Sequence, residues 1–555
     1  MHDYRAPVET LLWTLRHGAG AERLDGWDDE LAGEVVAQAA RFIEREVAPL
    51  DPLGDAQPAR LVEGRVRVPE PFVAAYRRYA AEGWPGICAP PEYGGQGLPH
   101  ALGGTVSEML AGACISFQMV LTLAQSAMRT LLAHGSEAQR RTYLPRLASG
   151  EWLATMCLTE PTAGSDLAQI RTTATPDGDG GWRIEGTKIF ISGGDHDYTD
   201  DILHLVLART PGAPPGVKGL ALFLCPARRA DGSPNGVTAL RLEEKMGMHA
   251  SPTCQLAFEG ARAELIGAPG EGLARMFTMM NVTRLDVGAE GVGLAEAAMQ
   301  RAWRYAAERR QGRAPGSAEG SDPICRHGDV QRMLLTQRAL VEGCRALVYR
   351  TLVELELEGA SPLVEFLTPV CKAFCTESAV RVADLAIQIH GGYGYCREYR
   401  VEQVLRDARI TPIYEGTNGI QAMTLAGRLL RLGEGGCWRA FEADLRSAIG
   451  SGESAVASAL ARALPRWVEA TEAVVAMDDP GMAAHDYLRL TGRMALGAAW
   501  ARLAGAAEAS PRPERARAVA DFVARWLLPD TEWLAAMVAG MGSHPRPAET
   551  VFESD

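Results

Sequence analysis

The pattern of hydrophobic positions changes twice along the chain. In the stretch ELAGEVVAQAARFIEREVAPL, which begins at Glu30, apolar residues recur every three or four positions, and this period predicts a helix with one buried face. From MCLTEP to about Ala261 the period falls to two, in short segments such as GWRIEGTKIFIS and ILHLVLART, which predicts β-strands. The helical period returns at Glu271 and continues, with loops, through most of the remaining chain.

Turn and cap residues indicate where the first helices end. Pro49 and Pro52 are predicted to stop the first helix, because proline lacks the N–H donor and its ring clashes with the preceding turn. A second helix, PEPFVAAYRRYAAEGW, is predicted to end at Gly83, and Ser136 is a predicted N-cap for a helix that starts at Glu137. The stretch PPEYGGQGLP at 90–99 predicts a loop at the surface or facing a ligand.

These periods predict a mainly α protein with a central β domain, and not the βαβ alternation of a doubly wound sheet. The predicted regions are an N-terminal helical domain (1–154), a central β domain (155–265), a C-terminal helical bundle (266–432) and an additional C-terminal helical domain (433–555). A chain of 555 residues is long enough for several such units.

Composition narrows the classes of function. The formal charge of −13 argues against a nucleic-acid-binding protein that contacts a phosphate backbone over a wide surface. No run of 18 apolar residues occurs, which predicts no membrane span, and the N-terminus lacks the basic region of a secretory signal. The 11 cysteines are scattered without a C-x-x-C pair, so we expect reduced thiols, a cytoplasmic location and no metal site.

Four segments contain the residues that can do chemistry: CLTEPTAGSD (157–166), GTKIFISGG (186–194), QIHGGYGYCREYRVEQVLRDARI (388–410) and PIYEGTNGIQ (412–421). Taken alone, the first is typical of a strand that enters a capped turn, and the third of a helix that ends with Gly391 or Gly392 in the left-handed region. In the fourth, Gly416 permits a positive φ, and Thr417 and Asn418 can cap a following helix.

With these segments in this order, the chain resembles the flavin-dependent acyl-CoA dehydrogenases from about residue 33 to 430. Its remaining length resembles the larger subgroup with an added C-terminal helical domain, which includes methylmercaptopropionyl-CoA dehydrogenases. The resemblance implies an N-terminal helical domain, a β barrel or sandwich, a C-terminal four-helix bundle and the extra helical domain. It also implies FAD as the cofactor and an acyl-CoA as the substrate.

The resemblance places the catalytic base at Glu415. A proton α to the thioester leaves as a hydride passes from the β-carbon to flavin N5, which gives a trans-2-enoyl-CoA. A dry pocket would raise the pKa of this glutamate toward neutrality, where it can accept a carbon-bound proton. Some branches place the base just before an arginine, at the position of Thr283 before Arg284, and threonine cannot serve as a carboxylate base.

The resemblance also implies the contacts of cofactor and substrate. Predicted flavin contacts are Leu158, Thr159, Ser165, Phe190, Ser192, Arg309, Gln388, Gly391, Gly392 and Thr417; predicted substrate contacts are Ser165, Arg284, Tyr414 and Gly416. In the family, contacts like those of Arg309 and Gln388 come from a neighbouring subunit, so we expect a homo-oligomer, with a dimer favoured.

Some of these assignments have alternatives. Arg310 or Arg313 could replace Arg309, because the family's phenylalanine is missing before Gly312. Phe190 could be a buried strand aromatic. Arg284 could form a surface ion pair with an acidic neighbour, either Asp286 or Glu290.

Two other functions are open to such a chain. Some relatives with an added C-terminal domain bind DNA, but residues 441–555 contain 11 arginines and no lysine against 16 acidic residues, which argues against that role. An acyl-CoA oxidase would reduce oxygen directly, whereas the family usually passes electrons to an electron-transfer flavoprotein. No motif encodes the acyl group.

Overall fold

The computed structural model describes residues 4–318 and 320–541. The N-terminal region consists of helices α1 (Val8–Trp13), α2 (Asp29–Phe42), α3 (Leu50–Ala56), α4 (Glu70–Ala81), α5 (His100–His134) and α6 (Glu137–Ala148). Between α3 and α4 lies a hairpin of β1 (Arg60–Val62) and β2 (Arg65–Arg67), which the sequence analysis did not predict. Its strands are three residues each and every residue of β1 is exposed, so the strands show little hydrophobic alternation.

The predicted helix ends hold with one exception. Gly83 adopts φ 80° just after α4, and Ser136 accepts a hydrogen bond from the backbone N–H of Gln139 in a capping box. Pro49 precedes α3 as its N-cap residue. The stop predicted at Pro52 is wrong, because Pro52 lies in the first turn of α3, where no helical partner is needed for the missing N–H.

The central strands are β3 (Trp152–Cys157), β4 (Thr173–Pro176), β5 (Trp182–Ser192), β6 (Asp201–Arg209), β7 (Leu220–Pro226), β8 (Val237–Leu242) and β9 (Thr253–Ile266). The pairings β6–β4, β4–β5, β5–β9, β9–β7 and β7–β6 return to their starting strand, so these five strands close a barrel. Strand β3 adds to β6 in parallel and β8 adds to β9. The prediction of a central β domain is confirmed.

Two groups of helices follow the barrel. The bundle consists of α7 (Gly272–Glu308), α8 (Gly328–Glu358), α9 (Pro362–His390) and the short helices α10 (Val401–Ala408) and α11 (Asn418–Met423). The additional domain consists of α12 (Gly436–Ile449), α13 (Ala455–Ala476), α14 (Gly481–Gly505), α15 (Pro513–Phe522) and α16 (Asp530–Met541). Helix α14 packs on the bundle, where the indole of Trp500 donates to the Ala339 carbonyl at 2.8 Å. The extra helical domain is therefore confirmed.

Helix α5 is the apolar centre of the N-terminal region. It is long and apolar enough to cross a membrane, and 94% of its most apolar window is buried inside the protein. It contacts α7, α8 and β3, and its backbone leaves helical geometry at Cys114. Its apolar composition is accounted for by burial in the core.

Candidate active site

Glu415 lies in the loop between α10 and α11, in an unusual backbone conformation. Its φ is 54°, and Gly416 follows with φ 84°. A left-handed glutamate costs about 1–3 kcal/mol and persists only where its surroundings impose it. The Glu415 carbonyl accepts hydrogen bonds from Arg284 Nε at 3.4 Å and from Gln421 Nε2 at 3.1 Å. Two side chains therefore hold the strained turn from outside the loop.

The Glu415 carboxylate is buried in a way that allows it to change between its charged and neutral forms. Its Oε2 atom is buried and has no hydrogen-bond partner in the part of the chain that the structure describes. Burial raises the pKa of Glu415 to about 7, against the opposing attraction of Arg284 and Lys372. An unpartnered buried carboxylate oxygen with a pKa near neutrality can accept a proton from a bound molecule.

Lys372 of α9 fixes the other side of this loop. Its ammonium donates to the Gly416 carbonyl and to Asn418 Oδ1, both at 2.9 Å, and burial lowers its pKa to about 7. Thr417 caps α11, since its Oγ1 accepts from the Ile420 N–H at 3.2 Å. The predicted cap is confirmed, but the sequence analysis missed Lys372. The one sequence signal for Lys372 was the rarity of its residue type, because the chain has only four lysines.

Tyr414 connects the loop to α7. Its hydroxyl donates to Glu290, which is fully buried and whose pKa burial raises to about 8. This partner was also missed, because nothing local joins a helix residue to a loop more than a hundred positions later.

Arg284 and Thr283 lie next to each other on α7 but face different partners. Arg284 is 8% exposed, and its second contact is Asn281 Oδ1 at 3.1 Å, so the surface ion pair with Asp286 or Glu290 is wrong. Asp286 instead accepts from a threonine of α5. Thr283 is buried and donates to Ser126 Oγ at 2.9 Å, so no carboxylate enters the site from that position.

A second group of predicted residues lies at one end of the barrel. The Ile189 N–H donates to the Thr159 carbonyl at 2.9 Å, and Lys188 Nζ donates to the Leu158 carbonyl at 2.9 Å. Phe190 has φ 58° at a bulge in β5 and is 59% exposed. The alternative of a buried strand aromatic is therefore wrong. The strain holds an aromatic ring at the surface, where it can cover a ligand.

The turn after β3 is held by its own side chains. Glu160 accepts from the N–H groups of Arg171 at 2.7 Å and Thr172 at 3.0 Å, and it pairs with Lys188 at 2.9 Å. Asp166 caps a short helical turn, and the adjacent Ser165 is exposed. The capped turn is confirmed, and it leaves Ser165 available to a ligand.

Helix α5 brings the first two groups close together. Its residue Val120 lies beside Gly193, close enough to touch a side chain placed there, and Gly193 follows Ser192 at the end of β5. Its residue Ser126 contacts Thr283, which precedes Arg284 on α7. Six residues of helix span about 9 Å, so both groups border the same part of the molecule.

The third group lies far from Glu415 within one chain. Arg309 follows the end of α7 with its guanidinium 5.5 Å from the ring centre of Tyr393, and Gly391 adopts φ 59° at the end of α9. Gln388 and Gly392 are exposed beside them. Arg309 comes 25 positions after Arg284, about 38 Å along a helix. The three groups therefore do not meet in one subunit.

The alternatives to Arg309 differ in their contacts. Arg310 donates to the Ser321 carbonyl, whereas Arg309 lies beside the glycine-rich turn. Arg313 is exposed in the loop. The contact with Tyr393 favours Arg309 as the residue next to Gly391.

The surfaces present fit an elongated flavin cofactor. They include an exposed aromatic ring at Phe190, backbone groups at Leu158 and Thr159, and open space around Gly391 and Gly392. Across residues 4–318 and 320–541 there is no group of three His, Cys, Asp or Glu side chains placed to hold a metal ion.

Family models match four consecutive parts of the chain. They are described as the acyl-CoA dehydrogenase N-terminal domain (30–151), middle domain (155–261) and C-terminal domain (270–430), and as acetyl-CoA dehydrogenase C-terminal like (439–544). The chain is 41% identical to 3-methylmercaptopropionyl-CoA dehydrogenase of Ruegeria pomeroyi, over 89% of this chain and 90% of that protein.

Solved structures show the same fold. Caenorhabditis elegans ACDH-11 in complex with C11-CoA is 22% identical, with a TM-score of 0.80 over 98% of this chain and 96% of that one. A chain from the electron transferring flavoprotein structure of Acidaminococcus fermentans is 30% identical, with a TM-score of 0.63 over 74% of this chain and 100% of that one.

Proposed function

Because the chain belongs to the acyl-CoA dehydrogenase family, we propose that Glu415 is the base that removes the α-proton of an acyl-CoA thioester to give a trans-2-enoyl-CoA. The protein is an oxidoreductase, and FAD is its cofactor. The observation that carries the proposal is the buried, unpartnered Oε2 of Glu415. A buried carboxylate oxygen without a hydrogen-bond partner is stabilised when a substrate supplies a proton to it.

Bound FAD supplies the hydride acceptor for the β-hydrogen. Glu415 takes the α-proton on Oε2, and its pKa of about 7 keeps a large ionised fraction at neutral pH while making it a stronger base than an exposed glutamate. Arg284 and Lys372 supply positive charge that favours the ionised form before the proton moves. Their hydrogen bonds to the loop also keep the carboxylate in one place.

The thioester oxygen needs a donor where enolate charge develops. The backbone N–H of Glu415 donates no hydrogen bond within the described ranges, and the left-handed turn holds it in a fixed direction. We assign this N–H to the thioester oxygen. The same residue then acidifies the α-proton and removes it.

The cofactor contacts divide between two subunits. Leu158, Thr159, Phe190 and Ser192 would hold the flavin near Glu415 of their own chain, whereas Arg309, Gln388, Gly391 and Gly392 would hold the FAD of a partner. The separation of about 38 Å between Arg284 and Arg309 supports this division. We therefore propose a homodimer as the active unit.

Mixed subunits test that division. In a heterodimer of Arg309→Ala and Glu415→Gln chains, one site combines an intact Glu415 with an intact Arg309 only if the two come from different subunits. Activity recovered on mixing two inactive homodimers supports the arrangement, whereas a mixture as inactive as its components contradicts it.

The electrons next pass to another acceptor. Similarity to a chain from an electron transferring flavoprotein structure supports such a flavoprotein as that partner. Peroxide formation without an added acceptor would instead identify an oxidase. The 11 cysteines are all free thiols, which supports a cytoplasmic location.

The decisive experiment is anaerobic mixing of the FAD-loaded protein with a series of acyl-CoAs. The wild type should lose its yellow colour as substrate reduces it. Glu415→Gln should keep its FAD and be reduced roughly 10²–10⁴-fold more slowly. The matched control is Glu398→Gln, an exposed glutamate in the short turn before α10 and away from Glu415, which should react like the wild type. Equal rates for Glu415→Gln and wild type would remove Glu415 from the mechanism.

A further inference from the structure

A cavity of about 60 Å³ lies behind the Tyr414 side of the site, between α4, α5, α7 and α8. Gln118 and Asp286 line it. The Gln118 side chain lies beside Glu290, which accepts a hydrogen bond from the Tyr414 hydroxyl. Gln118, Glu290 and Tyr414 therefore lie between this cavity and the loop that carries the proposed base.

Arg129 of α5 is the unusual member of the cavity wall. Its guanidinium lines the cavity and makes no hydrogen bond or ion pair with any residue of 4–318 or 320–541. Burial lowers the pKa of Arg129, with Glu356 acting in the opposite direction from beyond ion-pair distance. A guanidinium has five N–H donors and no acceptor, so leaving it mostly buried without a partner is costly.

The acidic neighbours of Arg129 are Asp286 and Glu356, and neither forms an ion pair with it in the described chain. Burial raises the pKa of Asp286 to about 7 and also raises the pKa of Glu356. His100 has its pKa lowered by burial to about 3, so it is neutral. Thr122 donates to Asp286 Oδ2 at 3.4 Å. Glu356 accepts from the backbone N–H of His100 at 2.8 Å, so both nearby carboxylates have other donors and neither reaches the Arg129 guanidinium.

We propose that this cavity binds the far end of the acyl chain and that Arg129 selects substrates ending in a carboxylate, the CoA monothioesters of short dicarboxylic acids. This inference rests on the proposed function. A carboxylate would give Arg129 the planar acceptor that its guanidinium fork matches, whereas a purely alkyl tail would leave the charge without a partner. One water needs roughly 10–15 Å³ of such volume, so the cavity suits a short polar terminus.

Binding to the Glu415→Gln variant tests this without turnover. Calorimetry would compare glutaryl-CoA with its uncharged isostere, in which an isopropyl group replaces the terminal carboxylate, and then the same pairs for succinyl-CoA and adipoyl-CoA. We expect at least one CoA thioester with a terminal carboxylate to bind about tenfold more tightly than its uncharged isostere. One charged hydrogen-bonded contact predicts a difference of this size. Equal or tighter binding of every isostere would overturn the proposal, and this comparison requires no change to Arg129.

Substitution of Arg129 then locates the effect. In the same background, Arg129→Met should bring the affinity ratio of acid to isostere close to one, and Arg129→Lys should retain part of it. Arg77→Met is the matched control, because Arg77 is an exposed arginine on α4, and it should leave the ratio unchanged. An equal loss of affinity for both esters in Arg129→Met would contradict selection by charge.

The wild-type enzyme separates this inference from the proposed function. If no acyl-CoA of either kind reduces the bound flavin, the proposed function fails. If acyl-CoAs with an alkyl terminus reduce the flavin, but those with a terminal carboxylate bind no better than their isosteres, only the selection by Arg129 fails.

Discussion

Two groups of buried carboxylates share helix α7 and differ in whether a cation pairs with them directly. In the first, Arg345 donates to Glu108 at 2.6 Å and to Glu296 at 2.7 Å, and Tyr349 donates to Glu108 at 2.6 Å. Arg345 and Glu108 are fully buried. Burial alone would raise the pKa of Glu296, but the guanidinium of Arg345 holds it below its ordinary value, whereas at Glu108 burial outweighs the same guanidinium and raises the pKa.

The second group begins six residues earlier on α7. Here burial raises the pKa values of Glu290 to about 8 and of Glu415 to about 7, and one oxygen of each carboxylate lacks a hydrogen-bond partner in the described chain. Backbone strain accompanies the unpaired oxygen of Glu415, whose φ is 54°. The paired network joins three helices. In the second group the carboxylates of Glu290 and Glu415 lower the stability of the fold, but they can change protonation near neutral pH.

The largest expected effect is loss of the paired network. Arg345→Met should lower the free energy of unfolding by about 3–5 kcal/mol, because it leaves two carboxylates buried without their cation. Denaturant unfolding measures this. The control is Arg466→Met, whose partner Glu469 is exposed and whose own side chain is 64% exposed, with an expected loss under about 1 kcal/mol. Similar losses for both variants would show that the network does not hold the helices together.

The unpaired group should appear in the pH dependence of the reaction. In the proposed mechanism Glu415 must be ionised to accept the α-proton, and burial raises its pKa to about 7. The rate of flavin reduction should therefore fall about tenfold for each pH unit below 7 and level off above it. Single-turnover reduction between pH 5 and pH 9 measures this. A rate that is flat down to pH 5 would contradict the raised pKa.

The same contrast explains what the sequence could predict. The order of helices, β domain and helices follows from the local hydrophobic period, and the prediction of Glu415 rests on a contiguous motif and the family resemblance that it supports. Lys372 and Glu290 could not be found this way, because they reach the loop from α9 and α7 through contacts across more than 40 and 120 positions. The exposure of the Phe190 ring depends on a bulge in β5, and the hydrophobic pattern of the sequence does not encode a bulge.

A smaller effect concerns the stability cost of Glu415. Its folded-state pKa of about 7 lies above the ordinary 4.5, so the folded protein loses stability as pH rises from 4.5 through 7. Glu415→Gln should therefore raise the free energy of unfolding at pH 8 by about 1–3 kcal/mol, and the difference should vanish below pH 4.5.

Glu160→Gln is the paired control for that measurement. Glu160 accepts from Lys188 and two backbone N–H groups, and despite the effect of burial these contacts lower its pKa. Its contribution is present above its ordinary pKa and is lost as the pH falls, so Glu160→Gln should destabilise the protein at pH 8. Destabilisation by both variants would mean that Glu415 is held as firmly as Glu160.

The smallest effect isolates backbone strain. Phe190 has φ 58° and is 59% exposed, so Phe190→Asn should relieve strain while removing little buried area. Because asparagine tolerates the left-handed region, the free energy of unfolding should rise by about 0.5–1 kcal/mol. Phe277→Asn, at a 40% exposed position within helix α7, should instead lower it, since asparagine is a poorer helix former in a regular turn. If Phe190→Asn also destabilises, the ring is held by packing, and the strain at this end of the barrel is not a cost accepted for ligand binding.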